Sequence, residues 1–82
     1  MPTSILDEHL RGKRLREKVT GRRKALGITQ KEAAYYLGIS QPTYGRKERE
    51  ADFNFTELTM LFDLLKFTDE EIAWIFKRRI KR

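Results

Sequence analysis

The stretch QKEAAYYLGISQPTYGRK, residues 30–47, gathers side chains suited to recognising a flat, hydrogen-bonding or anionic partner. Gln41 carries an amide that donates and accepts at once, which fits the paired N6 and N7 groups of adenine. Arg46 offers a planar fork for guanine O6 and N7, or for a phosphate. Pro42 and Thr43 present apolar surface to a thymine methyl, or serve only to start a helix. Gln30, beside the open amides of a helix start, suits a phosphate oxygen. Lys31, Ser40, Lys47, Arg49 and Arg22 add donors for further phosphates. Taken singly, Gln41 and Arg46 are equally ordinary as solvated surface groups.

The chemistry of bond-breaking is not written here. The sequence holds no nucleophile–base pair, no metal-ligand cluster and no glycine-rich phosphate cradle, so no enzyme is expected. It has no cysteine, and its one histidine, His9, cannot build a zinc site alone. His9 is expected to be an exposed bystander. At 82 residues, 39% hydrophobic and 37% charged, the chain supports one small domain without a large buried pocket. No cofactor and no small-molecule ligand are therefore expected. No apolar run reaches the roughly 20 residues that span a bilayer, and no secretory pattern opens the chain. The expectation is a cytoplasmic protein without a membrane partner.

Charge is more informative than size. The net is +6, distributed unevenly: residues 1–50 hold 12 basic and 6 acidic side chains, residues 51–76 hold 1 and 6, and residues 77–82 hold 5 and 0. A basic front, an acidic back and a basic tail suit one face built for a polyanion. Small domains are often lopsided in charge for no such reason, so the asymmetry does not decide alone.

The elements that must position these groups are helices. Thr29 with Glu32, Asn54 with Glu57 and Thr68 with Glu71 have the spacing of capping boxes. Each is preceded by an apolar residue (Ile28, Phe53, Phe67) and followed by another (Ala33, Leu58, Ile72) at staple spacing. An earlier helix is expected from about Leu15 to Leu26, with Leu15, Val19 and Leu26 inward and Gly27 as its stop. Residues 1–14 are an arm or an extra helix, in which Ser4 caps a short run through Leu10 and Gly12 weakens continuity; residues 4–26 are thus one helix, two, or an arm plus a helix. Leu58, Leu61, Phe62 and Leu65 form one buried stripe, and Ile72, Ile75 and Phe76 another. Trp74 points off that second stripe; with Leu64 or Met60 it forms either an exposed dimer patch or a second core face. The result is an all-α bundle of about five short helices over residues 15–76, followed by a basic tail, 77–82. That tail either adds phosphate contacts or only solubilises.

Within the bundle one pairing stands out. A helix from Gln30 to Leu37, with Ala33, Ala34 and Leu37 inward, stops at Gly38; Ile39 plugs the turn, and Ser40 caps a second helix with Pro42 in its first turn. That is a helix-turn-helix. Tyr44 faces in, while Gln41, Pro42, Thr43, Gly45, Arg46 and Arg49 face out. Tyr35 and Tyr36 are expected at the surface or half-buried. Gly27-Ile28-Thr29-Gln30, Ala34, the run from Leu37 to Tyr44, and Glu48 together resemble the Cro/CI family, the lambda-repressor-like (XRE-type) helix-turn-helix domains. The likeness covers roughly Leu15 to Phe76. It implies that Gln30 grips a phosphate, that Gln41 and Pro42 begin the recognition helix in the major groove, and that Arg46 makes a further base or phosphate contact. It also implies that Arg23 and Glu48 form a partly buried structural ion pair.

There are departures from the family pattern. Lys47 stands where an apolar residue is usual, and is expected to lay its stem over the core and send its charge outward. Arg22 also replaces a position that is often apolar, and Glu50 stands where many members have glycine. The loop 50–55 has no Lys or Arg, which shifts phosphate contact to Arg22, Lys31, Arg46, Lys47 and Arg49. The resemblance implies a sequence-specific regulator of double-stranded DNA, a repressor of phage or prokaryotic type, acting as a homodimer on a palindromic operator. An antitoxin that binds operator and toxin is one alternative. A protein-interaction module that kept the fold without DNA binding is the other.

Overall fold

The computed structural model describes residues 5–76. They form α1 (Ile5–Ala25), α2 (Gln30–Leu37), α3 (Gln41–Glu50), α4 (Phe55–Leu64) and α5 (Asp69–Ile75). No strand occurs among the described residues. The fold is all-α, with five helices in this region. The cap expected at Ser4, the exposure of His9 and the basic tail 77–82 lie outside what is described.

Helix starts follow the sequence closely. Thr29, Asn54 and Thr68 are extended at the cap, and each accepts from the amide three residues on. Glu32, Glu57 and Glu71 return the bond to the cap amides at 2.8, 3.0 and 2.9 Å. Ser40 caps α3 by accepting from Thr43 N–H. Each such cap contributes about 1 kcal/mol, because the first-turn amides otherwise have no partner inside the helix.

Helix ends are less transparent. Four of them close with the same pair of backbone bonds that ends a helix in a left-handed residue. At Gly27 and Gly38, with φ of 73° and 76°, glycine takes that conformation without a Cβ clash. Ala51 and Lys66 do the same at φ 54° and 58°, although neither is a glycine. Ala51 N–H donates to Glu48 O and Asp52 N–H to Lys47 O; Lys66 N–H donates to Asp63 O and Phe67 N–H to Phe62 O.

For α1 one open alternative is selected and one expectation changes. The helix runs through Gly12 unbroken from Ile5, so residues 5–14 continue it rather than forming an arm. It stops at Ala25, one residue early, and Leu26 is exposed in the turn instead of facing the core. The core is Leu15 and Val19 of α1, Ala33, Ala34 and Leu37 of α2, Tyr44 of α3, Leu61 and Leu65 of α4 and its cap, and Ile75 of α5. Ile39 and Phe53 close its edges, Phe53 packing its ring 5.8 Å from that of Tyr44. Leu58, Phe62 and Ile72 are half-buried, and Phe76 is exposed at the end of α5, so those stripes are narrower than their spacing suggests.

Candidate nucleic-acid interface

Two helices and a three-residue turn build the site. After Leu37, Gly38 N–H donates to Tyr35 O and Ile39 N–H to Ala34 O, which ends α2 in a tight left-handed bend. Ile39 packs against the core, Ser40 caps the next helix, and Pro42 sits in its first turn, where no amide is needed. Tyr44 and Glu48, one helical turn apart, hold α3 from beneath with 0% and 3% exposure. The opposite side of α3 therefore faces solvent. Gln41, Pro42 and Arg49 are exposed there, with Thr43, Gly45 and Arg46 half-buried beside them.

Beneath that surface lies a polar hub centred on Glu48. Arg23 donates Nε to Oε1 and Nη2 to Oε2, both at 3.1 Å, and its Nη1 reaches Ile28 O at 2.9 Å. Thr20 Oγ1 also donates to Glu48 Oε2. Gln30 Nε2 reaches Glu48 Oε1 at 3.3 Å, and the Gln30 side chain lies over Gly45, where a Cβ would sit 3.5 Å from its Oε1. Burial pushes the Glu48 carboxyl up, but hydrogen bonds from Arg23 and Thr20 and the Arg23 charge outweigh it, so the net direction is down. Burial, reinforced by the Glu48 charge, drives the Tyr44 hydroxyl far above the ordinary tyrosine value.

The cationic side chains divide into two groups. Lys31 and Arg49 are exposed and take part in no ion pair among the described residues. Arg46 is half-exposed and shares Nη1 between Glu50 Oε1 at 3.0 Å and Asp52 Oδ2 at 3.2 Å. Those hydrogen bonds, Asp52 first, raise its already high pKa.

Arg22 and Lys47, both expected to contact phosphate, are engaged within the protein. Arg22 Nη1 donates to Leu65 O and Lys66 O at 2.8 Å, its guanidinium lies 5.3 Å from the Phe67 ring, and it pairs with Glu71. It thus closes the carbonyl end of α4 and joins it to α5. Lys47 does not send its charge outward: Nζ lies 3.3 Å from Glu57 Oε1 and 3.4 Å from Asp52 O, with the side chain 16% exposed. It ties α3 to the start of α4. Ser40 is also occupied, since its hydroxyl donates to Thr43 Oγ1 at 2.8 Å while accepting from Thr43 N–H.

Several of these partners carried no local signal. Arg22 meets residues 43 to 49 positions away. Thr20 could have been found, because it lies on the same helix face as Arg23, three residues back. Trp74 is 41% exposed, with Arg14 and Lys18 over its ring at 5.6 and 5.5 Å; it is neither a bare patch nor a buried core group. Met60 lines a shallow depression of about 490 Å³ with Tyr36, Thr59, Phe62, Asp63 and Phe67, a set without Trp74. Tyr35 is fully at the surface and Tyr36 is 41% exposed.

A capped helix, a left-handed glycine turn and a second helix offering its polar side to solvent define a helix-turn-helix domain. A family model described as helix-turn-helix matches residues 22–75, more than half of the chain. The chain belongs to that family, the Cro/CI (XRE) type of DNA-binding transcription regulators. Searches against curated proteins and solved structures gave no match. Among the described residues, no helix is long and apolar enough to cross a membrane.

Proposed function

We propose that this protein is a sequence-specific repressor of phage or prokaryotic type. It binds a palindromic operator as a homodimer, with α3 in the major groove. Gln41, Pro42, Thr43 and Arg46 meet base edges, and Gln30, Lys31 and Arg49 position the phosphates. The observation that carries this reading is the division of α3. Tyr44 and Glu48 are sealed against the body while Gln41, Pro42 and Arg49 stand in solvent. Two copies would set their α3 helices one DNA turn apart, about 34 Å, and repress by blocking access of polymerase to the site.

Equilibrium binding to duplex DNA at rising salt tests the reading, combined with two substitutions. Affinity for random duplex should fall steadily with rising salt, because counterions released on binding gain less entropy in a more concentrated solution. Gln41→Ala should relax preference at one base position, whereas Lys31→Ala should weaken all sequences alike and flatten the salt slope by about 1. Salt-independent binding, or identical effects of both substitutions on every sequence, would refute the assignment.

A further inference from the structure

The α3 surface contains one contact that at first sight works against DNA. Arg46, in the middle of that surface, is held by two carboxylates, Glu50 four residues on and Asp52 just past the helix. Asp52 is not there by chance rotation of a loop. The left-handed Ala51 folds the chain back, Asp52 N–H bonds Lys47 O at 2.9 Å, and Lys47 Nζ reaches Asp52 O at 3.4 Å. The backbone beneath the carboxylate is thus fixed at the helix end.

Both carboxylates take the same nitrogen. Nη1 has two hydrogens, and the bonds to Glu50 Oε1 and Asp52 Oδ2 account for both. The described bonds of Arg46 leave Nε–H and the two Nη2 hydrogens, which form the side-on fork of the guanidinium. Arg46 and its two carboxylates together carry one positive charge against two negative. A phosphate, which is attracted mainly by net charge, gains little from this triad. A guanine edge is different: O6 and N7 are neutral acceptors, spaced for a two-pronged fork, and need direction more than charge.

We infer that Glu50 and Asp52 are specificity-determining residues that turn Arg46 from a phosphate anchor into a reader of a guanine in the bound site. They orient the fork, and they repel backbone phosphates that would otherwise capture it. This rests on the reading of α3 as the DNA-facing helix, and it adds the base class and the two residues that enforce it. Neither carboxylate touches DNA in this role.

The test uses the full chain and the double variant E50Q/D52N, which keeps shape and removes charge. Both side chains are more than half exposed, so the fold should persist, and a thermal melt checks this. Wild-type protein is first used to select duplexes from a random pool; an invariant guanine is expected among them. Replacing that guanine with 7-deazaguanine, which lacks the N7 acceptor, should cost the wild type about tenfold in affinity. The variant should bind random duplex more tightly, with a log–log salt slope steeper by about 1. It should also lose most of the penalty for 7-deazaguanine. Salt-dependent binding by the wild type, with the same selected-to-random ratio in the variant, would overturn the inference while leaving DNA binding intact. Wild-type binding that ignores salt would overturn the underlying reading, and the inference with it.

Discussion

Arg23 on α1 and Glu48 on α3 face each other through two parallel bonds of 3.1 Å, with their side chains 8% and 4% exposed. The pair fixes the angle at which α3 leaves the body, and Thr20 and Gln30 complete the shell around the carboxylate. A buried pair of this kind adds little net stability over apolar packing, yet removing one partner strands a charge in low dielectric. Gln30 links this hub to the surface of the motif, so its amide is oriented by the same carboxylate that orients the helix.

Arg23→Ala should therefore destabilise the domain by about 3 kcal/mol, lowering the melting temperature by on the order of 10–20 °C. An unchanged melt would contradict the role given to the pair.

The same carboxylate sets a pH dependence. Folding holds Glu48 below the ordinary glutamate value; Glu71 is also lowered, first by the Thr68 amide, then by the Arg22 and Lys18 charges. A depressed folded value means the unfolded chain takes up the proton first as pH falls. The stabilisation is complete above about pH 4.3, the unfolded glutamate value, and is lost as pH drops toward the folded values. Thermal melts should show a plateau near neutrality and a steep acid fall. In Glu48→Gln the plateau should lie lower and the acid fall should be shallower; curves of equal steepness would show that Glu48 does not set the acid limb.

Arg22→Ala distinguishes a structural from a DNA-contacting arginine. With its Nη1 on Leu65 O and Lys66 O, it should cost about 1–2 kcal/mol of stability, read from denaturant unfolding. The salt slope of duplex binding should stay as in the wild type. A slope reduced by about 1 would return Arg22 to the phosphate set.

Lys66 and Ala51 occupy left-handed backbone that costs a residue with a Cβ about 1 kcal/mol. Lys66→Gly should raise stability by about 0.5–1 kcal/mol, since Lys66 is exposed and loses little packing. Ala51→Gly should gain less, because the Ala51 methyl packs against the core. Chemical denaturation of both variants checks the order, and destabilisation by Lys66→Gly would contradict the strain.

These two residues also mark the limit of what the sequence discloses. Capping boxes and Gly38 are local codes, written within four residues of the place they act, and the helix-turn-helix emerges from them directly. Helix ends at Ala51 and Lys66 are imposed by packing, with no glycine to announce them. Gly12, by contrast, looks like a break and is not one. For Arg22 and Lys47, charge and helix position are visible in the sequence, whereas their partners Leu65 O, Glu71 and Glu57 lie too far along the chain to be read from it. The same holds for Asp52, whose bond to Arg46 has no signal in the local sequence.

Backbone amide chemical shifts, followed as a selected duplex is titrated into the full chain, report whether the exposed side of α3 is the surface that meets DNA. The largest changes are expected along Gln41–Arg49, with a second set at Gln30 and Lys31 and little change across α5. Changes confined to α4 and α5, with the exposed side of α3 unmoved, would contradict that role of α3.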